Sequence, residues 1–187
     1  MRAFSILQIP FSILLLVFSQ LIYAAGVTEA ESHLSAIKNT ESQFLLDFNG
    51  NKRTLGEYTN QGKWLVVMFW ESDCFYCNKN VKNYVDLHNR RNKVDVAVLG
   101  ISIDGSRRKV RALEFIKRHN VSFPNLIGEN EKVSLMYARL TGGYLEAVPA
   151  YLVFNPQGQL LAGEIGAVPV NVIEKFIEEN NVSGKSK

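Results

Sequence analysis

Apolar residues in this chain come in short continuous runs, separated by stretches in which they recur at helical spacing. The run Phe44-Leu45-Leu46-Asp47-Phe48, closed by Asn49-Gly50-Asn51, predicts a strand entering a tight turn, the start of an N-terminal hairpin. Thr54-Leu55-Gly56-Glu57-Tyr58 predicts a short helical turn. Trp64-Leu65-Val66-Val67-Met68-Phe69-Trp70 carries no polar residue and predicts a strand buried on both faces. From Cys74 the period changes, and Val81, Tyr84, Val85 and His88 mark the buried face of a helix. Val94 to Ile103, ended by Asp104-Gly105, predicts a second buried strand, and Val110, Leu113, Phe115-Ile116 and His119 a second helix. Pro124 within Val121–Ile127 limits that stretch to a short or edge strand. Val133, Leu135-Met136 and Leu140 predict a third helix. Tyr151-Leu152-Val153-Phe154, the turn Asn155-Pro156-Gln157-Gly158 and the return Gln159-Leu160-Leu161-Ala162 predict a hairpin, and Val170 to Glu179 a closing amphipathic helix. Strands alternating with helices predict an α/β fold: a central mixed β-sheet flanked by helices on both faces.

The first residues follow a different logic. A positive start (Met1-Arg2), an apolar core from Phe11 to Phe18 and the small residues Ala24-Ala25-Gly26 fit a secretory signal peptide over 1–25. The uncharged span 3–28 is also long enough to cross a bilayer uncut, so an N-terminal anchor is the alternative. The predicted organisation is a signal segment 1–25, a polar linker 26–42, one domain over 43–182 and a frayed tail 183–187. A net charge of +3 is too weak to imply nucleic acid as partner. The densest basic patch, Arg107-Arg108-Lys109 with Arg111, has no interleaved aromatic residues and reads as a solvated helix face.

Cys74 and Cys77 are the two cysteines of the 187 residues, spaced i, i+3 where the first helix begins. Such a pair can close a small disulfide ring with little backbone change. The first sulfur sits where unpaired N–H groups and the helix dipole favour negative charge, which makes a reactive thiolate. A disulfide stabilises a fold chiefly by closing a long loop, so one spanning two residues is chemical rather than architectural. Export would expose the pair to an oxidising environment. Asp73, beside Cys74, is predicted to oppose the dipole and raise the thiol pKa. Cys77, one turn on, is predicted to be more buried and less acidic.

Other chemistries fit poorly. His88 lies eleven residues beyond Cys77, about 16 Å along a helix, too far to serve as its base, and reads as a satisfied core residue. His33 and His119 have no chemical neighbours in sequence. A peroxiredoxin would carry Thr three and Pro seven residues before its cysteine, where this chain has Glu71 and Val67. Haem attachment needs His at position 78, which is Asn, and zinc needs more ligands than two thiols. No metal or cofactor is predicted.

The C-x-x-C after Phe69-Trp70, the strand ending Ile101-Ser102-Ile103-Asp104, Val148-Pro149 before the strand 151–154, the hairpin and then Gly163 and Gly166 together resemble a thioredoxin-superfamily domain, over about Phe44 to Glu179. The resemblance is closest to the exported TlpA-like thiol–disulfide oxidoreductases, which include reductases of cytochrome c maturation. It implies a thioredoxin-like fold and a cis bond before Pro149, which would lie against the dithiol. It implies catalysis by Cys74 and Cys77, and a substrate surface of Trp70, Phe75, Tyr76, Val148 and Pro149. It further implies protein thiols or disulfides as substrates, a membrane redox partner as electron donor or acceptor, and a periplasmic or otherwise extracytoplasmic location. Two positions depart from the pattern: Met68 stands where thioredoxins keep a buried acid, and Asn80 where many TlpA-like proteins have Glu. Glu71, Asp73 and Glu146 read as exposed loop charges, and Phe75-Tyr76 lacks the usual proline. The resemblance favours a reductase; oxidase or isomerase chemistry stays open. The alternative is a redox-inert thioredoxin-like module that binds peptides around Phe75, Tyr76 and Pro149.

Overall fold

The computed structural model describes residues 44–183; the expected signal segment 1–25, the linker and the last four residues of the tail lie outside the described residues. Seven strands form one sheet in the order β2-β1-β5-β4-β3-β6-β7. They are β1 Phe44–Asp47, β2 Lys52–Thr54, β3 Trp64–Trp70, β4 Val96–Ser102, β5 Asn125–Ile127, β6 Ala150–Phe154 and β7 Leu160–Ile165. The helices are α1 Phe75–Arg91, α2 Lys109–Arg118, α3 Asn130–Thr141 and α4 Val170–Ser183. β3, β4 and β5 run parallel, joined by helical crossovers, and the remaining pairs are antiparallel. This is a thioredoxin-like α/β fold with the N-terminal β1–β2 hairpin added.

Strand β3 is the spine. All seven of its residues are buried. Trp64, Val66, Met68 and Trp70 face one cluster with residues of α1, α2 and α4; Leu65, Val67 and Phe69 face the other with Val133, Met136 and Tyr137 of α3. Alternating side chains thus explain why a run with no polar residue is stable here: each face has its own helix layer. Each fully buried Val, Leu or Phe contributes roughly 1.5–3 kcal/mol from area alone, so the strand that delivers the motif is firmly anchored.

Strand β5 is short, as expected from Pro124, and lies between β1 and β4 rather than at an edge. Pro124 stands one residue ahead of it and contributes its carbonyl, which accepts the Gly100 N–H at 2.9 Å, so its missing N–H costs the ladder nothing. Helix α2 buries Ala112 and Phe115, whereas Val110 and Leu113 are 68% and 43% exposed. Phe115 and Ile116 pack into the core with Ala112, while Val110 and Leu113 stand on the outer side of the helix.

Candidate active site

The chain leaves β3 at Trp70 and reaches the start of α1 through Glu71-Ser72-Asp73-Cys74, a turn closed by the Cys74 N–H donating to Glu71 O at 3.2 Å. Cys74 is the N-cap: its backbone is extended (φ −67°, ψ 117°) and its Sγ accepts the Cys77 N–H at 3.0 Å. The sulfur therefore takes one of the four N–H groups that a helix start leaves without a partner. Cys74 and Cys77 are joined as a disulfide with Cα atoms 5.2 Å apart, inside the normal span for such a bond. Cys74 is half-buried; Cys77 is completely buried, in the cluster that holds Met68, Trp70, Val81 and Tyr84.

The Val148–Pro149 bond is cis, Pro149 is buried, and the Val148 carbonyl oxygen lies 3.4 Å from Cys74 Sγ. That oxygen can accept from the thiol once the disulfide is reduced. Phe75 and Tyr76 stand out from the surface at 71% and 56% exposure, edge to face with ring centroids 5.3 Å apart. A cleft of about 430 Å³ opens beside them, lined among others by Cys74, Leu145, Glu146 and Val148. The structure thus gathers Cys74, Phe75, Tyr76 and Val148 at one opening. Trp70 is not among them. It is 1% exposed, stacked on Phe115, and its Nε1–H donates to Asn125 Oδ1 at 3.1 Å. It supports the motif from beneath, and its place in the substrate surface is withdrawn.

The charges around the motif are organised, which sequence reasoning missed. Arg108 is not solvated: its guanidinium donates to Glu71 Oε1 at 2.5 Å, Asp73 Oδ2 at 2.6 Å and Ser72 Oγ at 3.3 Å. Arg111 adds a second bond to Asp73 Oδ2 at 2.9 Å. Asp104, its side chain wholly buried at the end of β4, accepts from the Ser72 N–H (2.9 Å), the Ser72 hydroxyl (2.7 Å) and the Ser102 hydroxyl (2.8 Å). Asp73, predicted to raise the pKa of the neighbouring thiol, is held by two guanidiniums.

Asn78, directly after Cys77, is a second missed residue. Its Nδ2 donates to the carbonyls of Ser72 (3.0 Å) and Cys74 (2.8 Å), while its Oδ1 accepts from Arg118 at 3.0 Å and lies 2.9 Å from His119 Nε2. Burial, and then the Arg118 charge, lower the His119 pKa, so a neutral ring holds Asn78. His88 accepts the Val98 N–H on Nδ1 at 3.1 Å, as befits a core histidine. At the two departures from the thioredoxin pattern, Met68 is fully buried and Asn80 donates to Tyr76 O at 2.8 Å. Among the described residues no group of three or more histidine, cysteine or acidic side chains is placed to hold a metal ion, and no helix is long and apolar enough to cross a membrane.

The sequence of residues 35–162 matches the AhpC/TSA family. The chain belongs to that family. Among its relatives, the thiol-disulfide oxidoreductase ResA of Geobacillus kaustophilus is 23% identical over 167 residues, 89% of either chain. Sporulation thiol-disulfide oxidoreductase A of Bacillus subtilis is 21% identical over 121 residues, 64% of this chain and 70% of that one. A DsbF homologue from Corynebacterium diphtheriae superposes with a TM-score of 0.61 at 21% identity, covering 73% of this chain and 82% of that one. Within the family this chain carries its redox chemistry on a C-x-x-C pair, as a TlpA-like thiol–disulfide oxidoreductase of thioredoxin fold.

Proposed function

We propose that the chain exchanges dithiol for disulfide with protein substrates outside the cytoplasm, working as a reductase, with Cys74 as the attacking sulfur and Cys77 as the resolving one. The observation that carries the assignment is the contrast between the two sulfurs. Cys74 Sγ reaches the cleft and accepts a helix N-terminal N–H at 3.0 Å; Cys77 has no exposed surface. The Cys74 thiolate attacks a substrate disulfide, forming a mixed disulfide and releasing one substrate thiolate. Cys77 then loses its proton and attacks Cys74 Sγ, which forms the intramolecular disulfide and releases the second substrate thiolate. Two electrons pass to the substrate, and a membrane redox partner returns them. Phe75, Tyr76 and Val148 form the surface that receives the substrate chain, with Pro149 buried directly behind Val148.

The extracytoplasmic location is supported by the composition of residues 1–25, and cytochrome c maturation is the setting the TlpA-like relationship favours. Insulin-disulfide reduction tests the activity, and a Cys77→Ser variant is expected to accumulate mixed disulfides through Cys74, whose partners name the pathway. A reduction potential near −270 mV supports the reductase; one near −120 mV would make it an oxidant. The exposed Phe75–Tyr76 pair favours a second reading, a redox-inert peptide-binding module. Wild type and Cys74→Ser equally inactive on insulin, yet binding the same partner, would establish that reading instead.

A further inference from the structure

Gly105 at φ +68° reverses the chain after β4, where a Cβ would meet the Glu129 carboxylate. Glu129 takes the N–H and hydroxyl of Ser106, fixing the 3₁₀ turn Ser106–Arg108. That turn delivers the Arg108 side chain to the loop in front of Cys74. Three carboxylates meet there, Glu71, Asp73 and Asp104, against two cations, Arg108 and Arg111. Among the described residues Arg108 is the ion-pair partner of Glu71, which lines the cleft together with Cys74 and Glu146.

We propose that Arg108 is a positioning residue for Cys74: it fastens the 71–73 turn to the end of β4 and keeps the charge beside the attacking sulfur close to balance. The inference rests on the reading of Cys74 as attacking sulfur. Without Arg108, Glu71 loses its cation and the cluster of three carboxylates and two guanidiniums goes from one net negative charge to two. A negative charge several ångströms from a partly exposed thiolate disfavours it by roughly three- to tenfold at effective dielectric constants between protein surface and water. The disulfide is then favoured over the dithiol, because the thiolate is the species that stabilises the reduced form.

The test compares the reduced full chain with Arg108→Gln, Arg108→Lys, Arg111→Gln and Asp73→Asn, measuring the pH midpoint of thiolate absorbance and the equilibrium with glutathione. Arg108→Gln is expected to raise the pH midpoint of thiolate absorbance by about half a unit to one unit, and to move the glutathione equilibrium toward disulfide by three- to tenfold when measured at a pH above both midpoints, about 30 mV for a tenfold change. Arg108→Lys keeps the charge and should stay within about twofold of wild type by the same electrostatic reasoning. Asp73→Asn should shift both readouts the opposite way, and Arg111→Gln, at an exposed site, the same way as Arg108→Gln by less. If Arg108→Gln does not fold, the opposite signs of Asp73→Asn and Arg111→Gln decide. Variants that melt earlier while both readouts stay at wild-type values, or that all shift in one direction, overturn the inference. A wild type with no titrating thiolate, or no equilibrium with glutathione, instead removes the reading of Cys74 beneath it.

Discussion

The indole of Trp70 lies stacked on the ring of Phe115, centroids 4.3 Å apart and planes 17° from parallel. The contact joins the last residue of β3, which leads into the motif, to α2, whose N-terminal side supplies Arg108 and Arg111. Phe115 is 1% exposed, and truncating a buried phenylalanine to alanine removes both transfer energy and packing. Phe115→Ala is expected to lower unfolding free energy by about 3–5 kcal/mol, read by urea denaturation. A loss under about 1 kcal/mol would mean that the stack closes up around the gap.

Asn78 ties the carbonyls of Ser72 and Cys74 together through one amide. Asn78→Ala leaves those carbonyls, and the Arg118 and His119 groups on its other side, to find water. The expected cost is about 1–3 kcal/mol, together with faster alkylation of Cys74 in the reduced protein. Unchanged alkylation would show that the turn is held by Asp104 and Arg108 alone.

Tyr151 presents the opposite case. Its hydroxyl is buried beside that of Tyr84 and makes no well-formed hydrogen bond among the described residues, while the Tyr84 hydroxyl donates to Val168 O at 2.8 Å. Burial pushes the Tyr151 pKa up to about 12, so the phenol stays protonated. Removing an unsatisfied buried hydroxyl relieves a desolvation cost, whereas removing a bonded one does not. Tyr151→Phe is therefore expected to be neutral or stabilising by up to ~1 kcal/mol, and Tyr84→Phe to destabilise by ~1 kcal/mol, in parallel urea titrations.

Asp47 sets the acid limit of the β1–β2 hairpin. Its carboxylate accepts from the Asn51 side chain and N–H, from Arg53 and from the Asn49 N–H, which together lower its pKa from 3.8 to about 2. A depressed folded pKa means that the unfolded chain takes up the proton first as pH falls. The stabilisation is therefore whole above about pH 4 and lost toward pH 2. Asp47→Asn should melt earlier than wild type at neutral pH but with a flatter dependence between pH 4 and 2. Identical slopes for the two proteins in that window would refute the assignment.

The sequence made the spine and the chemistry legible for physical reasons. A run of seven apolar residues admits few readings, and two cysteines three apart at a helix start admit fewer. What stayed hidden were contacts between segments distant in sequence. Arg108 and Arg111 meet acids 35 to 38 residues away, and periodicity along one helix cannot reveal a partner on another element. A flank of paired arginines then looks the same as a solvated one. The acids Glu71 and Asp73 stand before the motif with no basic residue between Lys63 and Lys79, and the cations that pair with them come from another element. Trp70 was misplaced because a residue next to the motif in sequence was taken as next to it at the surface. Its parity with Trp64, Val66 and Met68 along β3 points it into the core instead. Pro124 precedes β5, and the strand that follows it is short, as the proline suggested.

Strand β3 is paired on both sides, with β4 across Trp64–Trp70 and with β6 across Leu65–Phe69. Its amide hydrogens can exchange with solvent only when the whole domain opens. Making and breaking the bond between the sulfurs is left to the short turn beyond the strand's end, so residues 65–69 should exchange equally slowly in either oxidation state. The protein can then pass through many cycles of electron transfer without loosening the frame on which the sulfurs are mounted.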